Sequence, residues 1–136
     1  MLATRNRLRT ASEFSTTVRS GVRNGRRNLV LYAVTIADDE PSRIGFIVSK
    51  SVGNAVARNL VKRRLREIGA ASLREYSTGF AIVVRALPAS ATAGWDQLSA
   101  EYTAALETTM NRLVSRLPQA ATKGSNGTTQ EGTQRA

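Results

Sequence analysis

The chain has 136 residues, enough for one hydrophobic core and too few for two comfortable ones, so a single domain is expected. Twenty Lys and Arg against ten Asp and Glu leave a formal charge of +10, a surplus that repels itself unless a polyanion neutralises it. There is no Cys and no His, which excludes disulfides, zinc sites built on thiolate or imidazole, Cys–His and Ser–His–Asp catalysis, and the usual general base.

The opening Met1-Leu2-Ala3-Thr4-Arg5-Asn6-Arg7-Leu8-Arg9 is basic and free of acids, faintly like an organellar transit peptide, but it has no secretory apolar region. Thr10-Ala11-Ser12-Glu13 is a capping-box pattern, in which the Thr hydroxyl and the Glu three residues later satisfy each other's backbone donors. Phe14 and Val18 then fall at helical spacing, and Gly21 stops the run. A short strand is weighed near Val22 to Asn24. Leu29 to Ile36 predicts a strand, bounded by the turn-like Asp38-Asp39-Glu40-Pro41-Ser42. Arg43 to Ser49 predicts another, with Gly45 marking a bulge or a close backbone approach.

Ser51 to Asn54 reads as a loop, and Asn54 as the cap of a helix from Ala55 to Ile68 that Gly69 ends. Phe80 to Arg85 follows as a buried strand, because its apolar run is continuous. After Leu87-Pro88, a long helix from Trp95 to Leu117 keeps Leu98, Tyr102, Ala105, Leu106, Thr109, Leu113 and Leu117 in register against the sheet. The domain is therefore placed at residues 1–117. From Pro118 to residue 136 the composition turns to Gly, Ser, Thr, Gln and Asn, which cannot offset the entropy of ordering, and a disordered tail is expected. Lys123 and Arg135 against Glu131 give that tail a net +1, so about +9 belongs to the domain. No apolar run approaches the roughly 20 residues that cross a bilayer; a cytoplasmic protein with nucleic acid, not membrane, as partner is expected.

The helix after Asn54 carries the sharpest signal. At about 100° per residue from Arg58, Lys62 falls at about 40°, Arg66 at about 80°, Asn59 at about 100° and Arg63 at about 140°. Leu60, Ala57, Ile68, Val61 and Leu65 occupy the opposite, core-packing side, and Arg64 sits among them with its stem snorkelling outward. The cationic rail is about 12 Å long, enough for several phosphates of one strand. Lys50 to Arg66 holds six basic residues and no acid, which an ordinary solvated helix avoids because like charges one turn apart repel. A second basic group, Arg5, Arg7, Arg9, Arg19, Arg23, Arg26 and Arg27, lies before Asp38 with Glu13 as its only acid. Guanidinium matches phosphate bidentately and stacks on bases, which suits RNA with unpaired segments. Phe14 and Tyr32 are the candidate stacking platforms, with core packing as the competing reading.

The run Lys50-Ser51-Val52-Gly53-Asn54-Ala55-Val56-Ala57-Arg58-Asn59-Leu60-Val61-Lys62-Arg63-Arg64-Leu65-Arg66 resembles the signature of the bacterial ribonuclease P protein component. Its surroundings agree: Arg5-Asn6-Arg7-Leu8, Phe14, Gly21, the strand with Tyr32, Arg43-Ile44-Gly45, and the Phe80 to Arg85 strand before Pro88. The resemblance covers about residues 5–117. It implies a single-domain α+β sandwich of order α-β-β-β-α-β-α, of the ribosomal-protein-S5-like kind, with a left-handed β-α-β crossover. It also implies that Lys50, Asn54, Arg58, Asn59, Lys62, Arg63 and Arg66 contact the catalytic RNA, while Phe14 and Tyr32 line a cleft for the 5′ leader of precursor tRNA.

Two departures stand out. The family's Arg-Asn-Arg triplet reads Arg58-Asn59-Leu60, with Arg64 about one turn away as a partial replacement, and a second cleft aromatic is replaced by Val18. The resemblance further implies a ribonucleoprotein whose RNA, with magnesium ions bound mainly by that RNA, cleaves the leader to form the mature tRNA 5′ end. No protein catalytic residue, protein-held metal or small-molecule ligand is then expected. The rivals are a ribosomal or other structural RNA-binding protein and a small metal-dependent nuclease. The latter needs converging carboxylates, for which Asp38-Asp39-Glu40 is the best local cluster and a solvated turn the simpler account.

Overall fold

The computed structural model describes residues 3–116; the expected tail at 118–136, and Leu117 with it, lie outside them. After a 3-10 turn at Thr4–Asn6 come α1 (Ala11–Ser20), β1 (Val22–Gly25), β2 (Leu29–Thr35) and β3 (Arg43–Ile47). A second 3-10 turn at Lys50–Val52 leads into α2 (Ala55–Ser72), then β4 (Phe80–Ala86), a third turn at Pro88–Ala91 and α3 (Trp95–Arg116). The order is α-β-β-β-α-β-α in a mixed α+β domain.

The sheet runs β1-β2-β4-β3, with β2 antiparallel to both β1 and β4, and β3 parallel to β4. Parallel neighbours cannot be joined by a tight turn. The chain between β3 and β4 therefore crosses over as α2. Helices α2 and α3 bury one sheet face, packing Val61, Leu65, Leu98 and Tyr102 onto Leu29, Leu31, Ile44, Ile82 and Val84. Helix α1 and the N-terminal segment bury the other, where Phe14 and Val18 pack with Leu8, Val30, Tyr32 and Val83. The continuous apolar runs of β2 and β4 follow from this, since both are central strands covered on both sides. Full burial of a side chain such as Leu65 contributes about 1.5–3 kcal/mol.

Both predicted caps are present. Thr10 Oγ1 accepts from the Glu13 N–H at 3.1 Å, while Glu13 Oε1 accepts from the backbone N–H groups of Arg9 and Thr10 at 2.9 and 3.1 Å. Glu13 Oε2 also takes a 2.7 Å ion pair from Arg43, fastening α1 to β3. These donors, the Arg9 and Thr10 amides first and Arg43 after them, hold the Glu13 carboxyl below the usual carboxylate range. A lowered pKa stabilises the fold above the unfolded value and loses that contribution as pH falls through the folded one. Glu13→Gln is therefore expected to lower the melting temperature at pH 7 and to converge with the parent chain as acidification passes the lowered carboxyl pKa; a constant difference at all pH values would rule the charge out as the cause.

Gly69 does not end α2. The helix continues to Ser72, and Gly69 lies buried inside it, where a Cβ would stand 2.9 Å from Ile44 Cδ1 and 3.0 Å from Phe46 Cζ. Its helix-weakening backbone entropy, about 1 kcal/mol, is offset by the close approach of α2 to β3. Ser72 Oγ, 2.8 Å from the buried Tyr102 hydroxyl, links the end of α2 to α3. Gly45 is a close approach and not a bulge: its register opposite Val83 is unbroken, and a Cβ there would collide with the Phe14 ring. In α3, Met110 joins the predicted core residues.

Candidate nucleic-acid interface

The rail on α2 is set by its N-terminal cap. Gly53, at φ +155° and ψ −163°, takes a backbone conformation that only glycine adopts readily, and it turns the chain so that Asn54 Oδ1 accepts from the Ala57 N–H at 3.0 Å. Arg58 then reaches back, its Nε donating to the Gly53 carbonyl at 3.2 Å. Lys50, Asn54, Asn59, Arg63 and Arg66 are exposed, and Arg58 and Lys62 are half-buried. Val61, Leu65 and Ile68 anchor the opposite side of the helix in the core, as the periodicity predicts.

Leu60 departs from that pattern, being 37% exposed with Val56 at 78% before it. Arg64 is likewise corrected: its guanidinium donates to the Ala93 carbonyl at 2.9 Å, holding α2 to the segment before α3 on the side away from the rail. It is not a substitute for the cation missing at Leu60.

Strand β3 is an edge strand, and the N-terminal segment runs alongside it, with the Leu8 N–H donating to the Ile44 carbonyl at 3.2 Å. This brings the start of the second basic group beside the rail, while Arg23, Arg26 and Arg27 lie at β1, the opposite edge of the sheet, where Arg26 donates to Asn24 and Thr108. Arg7 from the N-terminus and Lys62 and Arg66 from α2 line one cavity of about 160 Å³, floored by Phe14, Gly45 and Phe46. Phe46 is a site residue that the sequence does not single out; its position one residue after the glycine is the only signal. A neighbouring cavity of about 220 Å³ gathers Arg5, Arg7, Arg9 and Arg43 near Glu13.

Tyr32 is placed apart from that first cavity. It lies in the same apolar cluster as Phe14 but is only 6% exposed, and the guanidinium of Arg85 sits 6.0 Å from its ring centroid. Arg85 is exposed on the α1 side of the sheet and interrupts an apolar strand, an irregularity of period that could have flagged it. Val18, one turn after Phe14, is half-buried against the same cluster. Among the described residues, no three of His, Cys, Asp and Glu lie together as a metal site, and no helix is long and apolar enough to cross a membrane.

A sheet covered on both faces, with a one-sided cationic helix meeting an arginine-rich N-terminal segment across the sheet edge, defines a small α+β polyanion-binding protein. A family profile described as Ribonuclease P matches residues 2–110. The chain is 78% identical to the ribonuclease P protein component of Arthrobacter sp. (strain FB24) over the full length of both, and 57% identical to that of Kocuria rhizophila over 82% of this chain and 98% of that one. Among solved structures, the RNase P protein of Staphylococcus aureus superposes with a TM-score of 0.64 at 24% identity, covering 82% of this chain and 95% of that one. The Thermotoga maritima protein gives 0.61 at 24% identity over 84% and 99%, so both support the fold. The chain belongs to the family of ribonuclease P protein components, and works as part of that tRNA-processing endoribonuclease.

Proposed function

We propose that this chain binds the catalytic RNA of ribonuclease P through Lys50, Asn54, Arg58, Asn59, Lys62, Arg63 and Arg66, and holds the 5′ leader of precursor tRNA on the α1 side of the sheet. The observation that carries the reading is the convergence of Lys62 and Arg66 with Arg7 and Phe14 at the β3 edge, which gives a nucleic acid cations and an aromatic floor in one place. Phe14 is the stacking platform. Tyr32 shapes the cleft from beneath, with Arg85 as the exposed group beside it.

The chemistry belongs to the RNA. Magnesium ions held by RNA phosphates supply the hydrolysis of the phosphodiester at the 5′ end of the mature tRNA. The protein neutralises phosphate charge and adds leader contacts, raising substrate affinity and lowering the magnesium requirement. Mixing the protein with a bacterial ribonuclease P RNA and precursor tRNA at low magnesium tests this: 5′-leader release above that of RNA alone is expected, and no stimulation would refute it. Cleavage by the protein and magnesium without the RNA would point instead to a protein nuclease.

The exposed Leu60 lies beside the rail, where the family triplet carries its second arginine. Leu60→Arg is expected to tighten RNA binding several-fold at moderate salt and to steepen its salt dependence by about 0.7–0.9 in log–log slope. An unchanged slope would mean that position 60 does not face the RNA.

A further inference from the structure

Next to the rail, the charge on α2 reverses. Its C-terminal half and α3 enclose a groove of about 280 Å³ that no Lys or Arg lines among the described residues. Ile68, Ala71, Tyr102 and Leu106 contribute to its walls, and Trp95 adds an indole that is 41% exposed. Three exposed carboxylates, Glu67, Glu75 and Glu107, complete the lining. None of them has an ion-pair partner among the described residues, although the chain carries twenty cations. The phenol of Tyr76, also in the groove, is raised above its ordinary pKa by burial and then by Glu75 and Glu107, a sign that their negative potential concentrates there.

An RNA strand is repelled by such a surface. The carboxylates do not gather as a metal site either. The lining residues Trp95, Ser99, Thr103 and Glu107 recur every fourth position along α3, a stripe of about 18 Å, long enough to receive several residues of a second chain. A small polycation would satisfy the glutamates and leave the indole exposed. A peptide that combines cationic and apolar side chains satisfies both.

We propose that the α2–α3 groove docks a cationic, amphipathic segment of a partner protein, with its Lys or Arg side chains against Glu67, Glu75 and Glu107 and an apolar side chain against Trp95. Helix α2 then serves two partners of opposite charge. Arg66 closes the RNA rail and Glu67, the next residue, opens the protein groove, so the two are bound side by side without competing.

Trp95 is the chain's only tryptophan, so its fluorescence reports on the groove directly. Titrating the full chain with an amphipathic peptide of lysine and leucine is expected to shift the emission to the blue and saturate, with affinity falling as salt rises. A glutamate and leucine peptide is expected to leave it unmoved. Combining Glu67→Gln, Glu75→Gln and Glu107→Gln, all exposed and without ion-pair partners among the described residues, is expected to weaken the lysine peptide about tenfold, the scale of a few exposed ion pairs, with RNA binding and melting temperature unchanged. The proposal is overturned by no shift with the lysine peptide or by equal affinity in the triple variant. It is equally overturned if spermidine or RNA alone reproduces the shift, or if the protein alone gives a concentration-dependent shift that tracks dimerisation in sedimentation.

Discussion

Replacing Arg58 and Lys62 together with alanine is expected to weaken binding of ribonuclease P RNA about tenfold to a hundredfold at moderate salt. Both side chains lie one turn apart on the rail of α2 and are half-buried. Removing two charge-assisted hydrogen bonds to phosphate there costs roughly 1.5–3 kcal/mol after discounting for exposure. The salt dependence is the more decisive readout. Each neutralised phosphate adds about 0.7 to the log–log slope on single-stranded and about 0.9 on duplex nucleic acid, so the double variant should flatten it by about 1.4–1.8. Arg58 also donates to the Gly53 carbonyl next to the Asn54 cap, so its loss alone could act by loosening the helix start. Lys62→Ala separates the causes, because among the described residues that side chain has no hydrogen-bond partner: it should flatten the slope by about half as much with no change in melting temperature. Weaker binding with an unaltered slope would mean that the rail does not meet phosphate.

What the sequence reveals of this surface is whatever depends on neighbours within a few residues. The capping box at Thr10 and Glu13 and the Asn54 cap are local hydrogen-bond arrangements written in residue types at fixed spacing, and both form where expected. The rail follows from the period of one helix. Gly69 misleads because a glycine after an amphipathic run signals a helix end unless a strand remote in sequence approaches it, and here Ile44 and Phe46 do. Leu60 reads as part of the apolar side because angle alone does not tell where the packed surface stops; the core packing of α2 reaches Val61 and Leu65 and leaves Leu60 at its margin. The meeting of Arg7 with Lys62 and Arg66 depends on β3 being an edge strand. That is decided by β4 inserting between β2 and β3, a pairing no local pattern records.

Gly45→Ala is expected to destabilise the domain by about 1–3 kcal/mol, the usual range for overpacking, and to lower its melting temperature by roughly 5–15 °C. Glycine occupies this position on β3 because the ring of Phe14 rests directly on the strand, with Leu8 Cβ 3.1 Å from where a Cβ would stand. The added methyl would press on a ring that belongs to α1, and α1 is itself tied to β3 by the Glu13–Arg43 ion pair, so it cannot simply lift away. A double-mutant cycle identifies the cause. In a Phe14→Ala background the severe collision is gone and only the 3.1 Å approach of Leu8 Cβ is left, so Gly45→Ala should then cost clearly less, leaving a coupling of about 1 kcal/mol or more. If the two substitutions are additive, the ring contact is not the reason for the glycine. The same cycle bears on function, because Phe14 and Gly45 form the floor between Arg7, Lys62 and Arg66. Leader affinity should fall in both single variants, through a displaced ring in one and an absent ring in the other, while the salt slope for the catalytic RNA stays unchanged because no cation has been removed.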